Sequence, residues 1–229
     1  MVQGIKQMCA LRGRRLREST LLIVGATGDV GSGCARCLAP LVKRVLLSAR
    51  NVERLRRLAA ELRAGGAEVE IATELSAPAD VVICAASMAS PSLLLGRIAD
   101  DALICDAGYP KNLSPLAKSC DATVFFGGLG QVTGGMRFTP DLRGVLNRHP
   151  FPDVVHGCLL EGMALALEGR FEPFSQGRGY ITPQLVAEIE QIAARHGIHL
   201  APLYNAEGPV EGGFGELEVA RCADLHSAA

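Results

Sequence analysis

Residues 21–33 read Leu-Leu-Ile-Val-Gly-Ala-Thr-Gly-Asp-Val-Gly-Ser-Gly. Four apolar residues run into Gly25, Gly28 and Gly31. The pattern is a buried strand, a tight turn and a helix start. Gly25 permits the turn, Gly28 lets a bound group approach the backbone with no Cβ in the way, and Gly31 lets the helix pack close to the strand. The helix N–H groups then face the turn as a ready anion site, the arrangement a dinucleotide pyrophosphate needs. Glycine spacing alone is a weak signal, and the strand before it and the helix after it are what give it weight.

Composition narrows what surrounds this unit. The chain has 229 residues, 48% of them apolar, enough for one full α/β domain with a short appendage. A net charge of −1 argues against nucleic acid or an anionic membrane surface as a partner. Aromatics make up 4% and Trp is absent, so base-stacking platforms are not expected. No run approaches the ~20 apolar residues of a membrane span. Arg12, Arg14, Arg15 and Arg17 are not followed by an apolar signal core, so a cytoplasmic protein with eight reduced cysteines is expected. Cys34 and Cys37 form a Cys-x-x-Cys inside the helix after the turn, and no second pair stands at zinc spacing, so no metal is expected. Cys84 and Cys105 close apolar runs and read as buried small hydrophobes.

Apolar strands alternate with helices along the first two-thirds of the chain. A short basic helix over 4–16 leads in. Strands are expected at about 20–25, 45–49, 68–72, 79–84, 102–106 and 123–126. Helices follow at 29–40 and after Asn51, which caps a helix ended by Gly65-Gly66. The fold class is α/β, a Rossmann-like doubly wound parallel sheet with C-terminal helices, in strand order 3-2-1-4-5-6. Ligand is expected at the carboxyl ends of the strands, near the switch point. The domain reading is a lead-in over 1–18, a nucleotide-binding domain over 19–150, a helical segment over 151–204 and a mobile tail over 205–229. In the helical segment Asp153 caps a helix with Val154, Cys158, Leu159, Met163 and Leu167 on one face, and Glu168 at its end opposes the dipole. Thr182 caps a second helix with Pro183 at its first position.

Strand two ends Ser48-Ala49-Arg50-Asn51, with no carboxylate between Asp29 and Glu53. An NAD site places an acid there for the ribose 2′-hydroxyl. Arg50 can instead pair with a 2′-phosphate, with Ser48 and Asn51 as further donors, so NADP(H) is favoured. A second reading leaves Arg50 solvated and gives the ribose to Glu53. The loop after strand four, Cys84-Ala85-Ala86-Ser87-Met88, is small enough for the nicotinamide half to lie against its backbone. The loop after strand five, Asp106-Ala107-Gly108-Tyr109-Pro110-Lys111-Asn112, gathers a carboxylate, a phenol and an ammonium at the same edge.

These motifs occur in a fixed order: Gly25-Ala-Thr-Gly-Asp-Val-Gly-Ser, Ser48-Ala-Arg-Asn-x-Glu-Arg-Leu, Ala86-Ser-Met, Asp106-x-Gly-Tyr-Pro-Lys-Asn and Gly127-Gly128. Cys158-x-x-Glu161-x-Met163, Glu168-Gly169, Phe174-Ser175-x-Gly177-Arg178 and Ile181-Thr182 follow. The chain resembles, over about residues 18–203, the cyanobacterial long-chain acyl-(acyl-carrier-protein) reductases, which make fatty aldehydes. The resemblance implies NADPH as reductant, an acyl thioester on a carrier protein or coenzyme A as substrate, and Cys158 as the thiol that accepts the acyl group. It implies cofactor contacts at Gly25, Thr27, Gly28, Asp29, Val30, Gly31, Ser48, Arg50, Ala86, Ser87, Met88, Asp106 and Gly108. Tyr109 and Lys111 are the candidates for orienting the carbonyl or supplying a proton. With its helix starting at Asp153, Cys158 falls beyond the first turn, where the dipole adds little; from its spacing alone it reads as a core cysteine.

The chain departs from the family in places. The family has a substantial region before the glycine turn, where this sequence has residues 1–19. Its Trp and Asn flanking the Gly177-Arg178 pair are Gln176 and Gly179 here, and Gly162 and Ala164 thin the helix after Cys158. A shorter acyl group, a discrete carrier protein or a partner subunit completing the acyl site would fit these differences. Two rival readings stay open: a dehydrogenase of a small hydroxy or keto compound with no covalent step, and a non-catalytic NADP-binding subunit.

Overall fold

The computed structural model describes residues 1–72, 78–86, 98–108, 111, 113, 121–140, 149, 151, 153–174 and 180–210. They form two compact units, one of residues 1–127 and 173–186, the other of residues 128–172 and 187–229. The first unit ends earlier than residue 150 because its sheet closes at the sixth strand, and a later segment returns to it.

In the first unit, strands β1 (Thr20–Val24), β2 (Arg44–Ser48), β3 (Val69–Ile71), β4 (Ala79–Cys84), β5 (Ile98–Asp106) and β6 (Thr123–Phe126) make one sheet in the order β3-β2-β1-β4-β5-β6. Every pairing is parallel. This is the expected Rossmann-like order. Both faces are buried. Leu22, Leu46, Val82, Ile104 and Val124 pack together in one cluster, while Leu21, Ile23, Val45, Leu47, Ile83 and Phe125 are also buried. Such two-sided burial is why these strands read as near-continuous apolar runs. β5 begins at Ile98 rather than at Ala102; its exposed Asp100 and Asp101 hid the first half from a hydropathy reading.

Helix α1 (Val2–Leu11) starts earlier and stops sooner than expected. Gly13 turns the chain at φ +64°. Arg14 then pairs with Asp80 (3.3 Å) and Asp101 (2.5 Å) at the amino ends of β4 and β5. Asp80 also accepts the Thr20 N–H at 2.7 Å, which fixes where β1 begins. Helix α2 (Asp29–Leu38) follows the glycine turn. Helix α3 (Val52–Ala64) is capped by Asn51, whose Oδ1 accepts the Arg54 N–H at 2.9 Å. Arg36 of α2 holds Glu61 of α3 at 2.6 and 2.9 Å and also donates to the Ile181 carbonyl at 3.3 Å. Ile181 lies over Gly33, where a Cβ would come within 2.8 Å of Ile181 Cγ2.

In the second unit, β7 (Leu129–Val132), β8 (Val154–His156) and β9 (Ile198–Leu200) form an antiparallel sheet in the order β8-β7-β9. Asp153 is not a helix cap. It has φ +59°, and its carboxylate accepts the Met136 N–H at 3.0 Å. The β-branched pair Val154-Val155 then pairs with β7, and helix α4 runs over Gly157–Leu167. Its buried residues are Leu160, Ala164 and Leu165, while Cys158 and Leu167 are exposed. Glu168 at its end does not stand unopposed: Arg195 (2.9 Å) and His196 (2.8 Å) pair with it and hold its carboxyl below the usual range. Helix α5 (Pro183–Arg195) has Thr182 as its cap, as expected, with the hydroxyl accepting the Leu185 N–H at 3.3 Å. The start of the expected tail is ordered: β10 (Tyr204–Asn205) pairs with β11 (Gly208–Pro209), and buried Tyr204 packs on Phe151 and hydrogen-bonds His149 at 2.6 Å. Among the described residues no helix is long and apolar enough to cross a membrane.

Asn51→Ala removes a helix cap exposed to solvent without touching the core. The urea midpoint is expected to fall by the equivalent of about 1 kcal/mol with an unchanged slope.

Candidate functional site

The glycine turn lies at the carboxyl end of β1. Gly25 has φ +81°, and its N–H and that of Ala26 both bond the Ser48 carbonyl, at 2.8 and 3.1 Å. The turn is thus tied to the end of β2, where Arg50 emerges exposed. A Cβ on Gly25 would come within 2.8 Å of Ala86 Cβ, so the loop after β4 rests directly on the turn. A Cβ on Gly31 would run into the Gly25 carbonyl oxygen and come within 2.9 Å of Ala26 Cα. Gly28 caps α2 with an extended backbone, and only the Gly25 oxygen lies near its vacant Cβ direction, at 3.4 Å. The opening that a phosphate requires is therefore present beside the first N–H groups of α2. Thr27, Asp29 and Val30 complete the turn, with Asp29 as the first helical residue and Val30 partly exposed.

The neighbouring strand ends continue this edge. Ala85 N–H bonds Val24 O at 2.8 Å, Ala107 N–H bonds Cys84 O at 2.9 Å, and Gly127 N–H bonds Asp106 O at 2.9 Å. Asp106 is fully buried, and its two carboxylate oxygens accept the N–H groups of Gly108 (3.2 Å) and Leu113 (3.0 Å). Its visible role is therefore to anchor the loop. Gly108 lies against the Ala86 carbonyl, which would be 2.8 Å from a Cβ there. Lys111 Nζ donates to the carbonyls of Asp106 (2.8 Å) and Gly127 (3.2 Å) and stands 5.8 Å from the centroid of the Phe126 ring. Burial lowers the Lys111 pKa against the opposing pull of Asp106. Burial also raises Cys84, and pushes Cys105 up to about 12, so both are inert thiols as expected. Ser87, Met88 and Tyr109 lie outside the described residues. Gly25, Gly28, Gly31, Ser48, Ala86, Asp106, Gly108 and Lys111 are all brought to this one edge.

Cys158 belongs to the second unit. The helix starts at Gly157, so Cys158 is in its first turn, where free N–H groups and the helix dipole favour negative charge. It is exposed, unlike the other described cysteines, of which Cys9, Cys34, Cys84 and Cys105 are buried and Cys37 is intermediate. The core-cysteine reading is therefore overturned. His156 is the residue before the helix, with an extended backbone, and its ring stacks edge-on against His149 at 5.3 Å. What sequence reasoning missed was β8: three residues are too short to show a period, and the Val-Val signal was absorbed into a helix. Among the described residues, no group of His, Cys, Asp and Glu side chains could hold a metal ion.

Strand order and glycine cradle together define a Rossmann-type α/β domain, with a glycine turn of the form that a dinucleotide pyrophosphate fits. The chain is 32% identical over 187 residues to the long-chain acyl-(acyl-carrier-protein) reductase of Synechococcus elongatus, a match covering 80% of this chain and 53% of that protein. The resemblance seen in the ordered motifs thus holds for most of this chain, which spans about half the length of that curated relative. No protein-family model matches. Among solved structures, the chain is similar to a short-chain alcohol dehydrogenase of E. coli CFT073 complexed with NADH (17% identity, 55% of this chain and 41% of that one, TM-score 0.39). It is also similar to a shikimate 5-dehydrogenase of Mycobacterium fortuitum (20% identity, 53% and 49%, TM-score 0.35). Overlaps of this extent carry no argument about function.

Gly31→Ala drives a methyl group into the Gly25 carbonyl. Overpacking of this kind is expected to cost about 1–3 kcal/mol, read by calorimetry as a lower melting temperature.

Proposed function

We propose that this chain reduces an acyl thioester to an aldehyde with NADPH, through an acyl group carried on Cys158. The observation that carries the reading is the exposed thiol in the first turn of α4, in a chain 32% identical to an acyl-(acyl-carrier-protein) reductase. A core cysteine would be buried, as Leu160 and Ala164 of the same helix are.

In this reading Gly25, Thr27, Gly28, Asp29, Val30 and Gly31 hold the pyrophosphate. Ser48 and Arg50 hold the 2′-phosphate. The missing carboxylate at the end of β2, where Arg50 stands exposed, supports Arg50 and NADP(H) over Glu53. Ala86, Ser87, Met88, Asp106 and Gly108 border the nicotinamide half. NADPH, when bound, supplies the hydride equivalent that takes the acyl carbon to the aldehyde level. The residues of the chain do the rest. Cys158 attacks the carbonyl of the incoming thioester and releases the carrier's thiol, an exchange of one thioester for another and close to balanced in energy. After reduction the Cys158 sulfur leaves the hemithioacetal carbon as the aldehyde departs. Lys111, desolvated and already donating to two strand-end carbonyls, is the proton source or carbonyl-orienting group; Tyr109 is its alternative. The substrate is an acyl group on a carrier protein or on coenzyme A.

NADPH oxidation followed across a panel of acyl-coenzyme A and acyl-carrier thioesters tests the activity. Turnover is expected with at least one thioester, and Cys158→Ala is expected to abolish both turnover and the acyl adduct seen by intact mass. An adduct that survives Cys158→Ala sinks the assignment. Turnover of small hydroxy or keto compounds that survives Cys158→Ser points to a non-covalent dehydrogenase. Arg50→Asp is expected to cost NADPH, and not NADH, roughly 30-fold in affinity, or about 2 kcal/mol for a lost charge-assisted contact.

A further inference from the structure

Glu161 is the one charged residue on α4, whose sequence is Gly-Cys-Leu-Leu-Glu-Gly-Met-Ala-Leu-Ala-Leu. It is partly buried, and among the described residues no hydrogen bond or ion pair holds it. It lies past the first turn, so it does not complement the helix dipole. β7 and β8 pack against this helix, and His156 is the one titratable residue they contribute. The Glu168–Arg195–His196 group belongs to the far end of α4. A carboxyl desolvated with no compensating partner is a cost that folding alone does not explain.

Its position supplies an explanation. Cys158 and Glu161 are three residues apart, neighbours on one helix face. Helix side chains lean toward the N-terminus, so a residue covers the turn before its own Cα. The Glu161 side chain is long enough to span the turn that separates it from Cys158. No hydrogen bond joins the two, and contacts of this kind commonly tighten only when substrate is in place.

We propose that Glu161 is the proton-transfer partner of Cys158 in acyl transfer. The proposal rests on the reading of Cys158 as acyl acceptor. The Cys158 S–H proton passes to the Glu161 carboxylate as Sγ bonds to the acyl carbon. The bond from that carbon to the carrier's sulfur breaks, and the departing thiolate takes the proton from Glu161. The carboxyl ends ionised, as it began, and nothing is oxidised or reduced. Burial raises the pKa of this carboxyl, which brings it nearer to that of the thiols it serves.

The test measures two rates on the full chain: acyl-Cys158 formation from hexadecanoyl-coenzyme A and a hexadecanoyl carrier-protein thioester without NADPH, and iodoacetamide labelling of Cys158 by peptide mapping. Glu161→Gln is expected to slow acyl transfer on the order of 100-fold, the usual scale of general acid–base catalysis. The same variant is expected to label with iodoacetamide at the wild-type rate, which shows that Cys158 is as accessible as before. Glu161→Asp restores part of the acyl transfer. A loss of acyl transfer with unchanged labelling, partly rescued by Glu161→Asp, cannot come from lost access to Cys158. Wild-type acyl transfer in Glu161→Gln, or both rates falling together, overturns the proposal. A Cys158→Ala protein that still takes up the acyl group, or a wild-type protein that takes it from neither donor, overturns the reading beneath it.

Discussion

Helix α2 meets the end of β1 so closely that Gly31 has room for a hydrogen and nothing larger, and the carboxyl edge of the sheet is organised around that approach. The same short distance presents the first N–H groups of α2 to the opening at Gly28. It also fixes the Gly25 turn, whose N–H bonds to Ser48 carry the constraint to β2 and so to Arg50. On the other side, Ala86 and Ala85 press against Gly25 and carry it to β4. Hydrogen bonds past the strand ends then pass it to Ala107 and Gly127. The loops that follow β1, β2, β4, β5 and β6 are thus linked in series along one edge of the sheet.

The far half of the edge is held differently, by buried charge. Asp106 binds two backbone N–H groups of its own loop, and Lys111 closes the ends of β5 and β6 through two carbonyls. Asp106 satisfies two backbone N–H groups of the loop, and Lys111 adds a donor to the Gly127 carbonyl and to the Asp106 carbonyl that already takes the Gly127 N–H. A lysine held this way is fixed in position, which is the condition for acting on a ligand at that edge.

Strand order, the cradle and the caps at Asn51 and Thr182 were legible in the sequence because each rests on a local signal of several residues. Apolar runs mark strands buried on both faces, and Asn or Thr before a helix marks its start. The second unit was not legible in the same way. β7, β8 and β9 are three or four residues each, too short to show alternation, and antiparallel partners lie far apart in the chain. Reading Val154-Val155 as helix moved the helix start three residues too early. Cys158 then fell past the first turn on an apparent core face, when it is exposed in the first turn. The loop role of Asp106 was hidden for another reason: a carboxylate at a ligand edge looks the same in sequence whether it faces the ligand or its own backbone.

Ile181 resting in the notch at Gly33 makes two positions nearly 150 residues apart share one volume. Any growth at 33 displaces atoms at 181, and only a smaller residue at 181 makes room for it. Arg36, one turn along the same helix, grips the Ile181 carbonyl, so the backbone there cannot drift away to absorb the change. In an interior packed this closely, the two sites are free to vary only together.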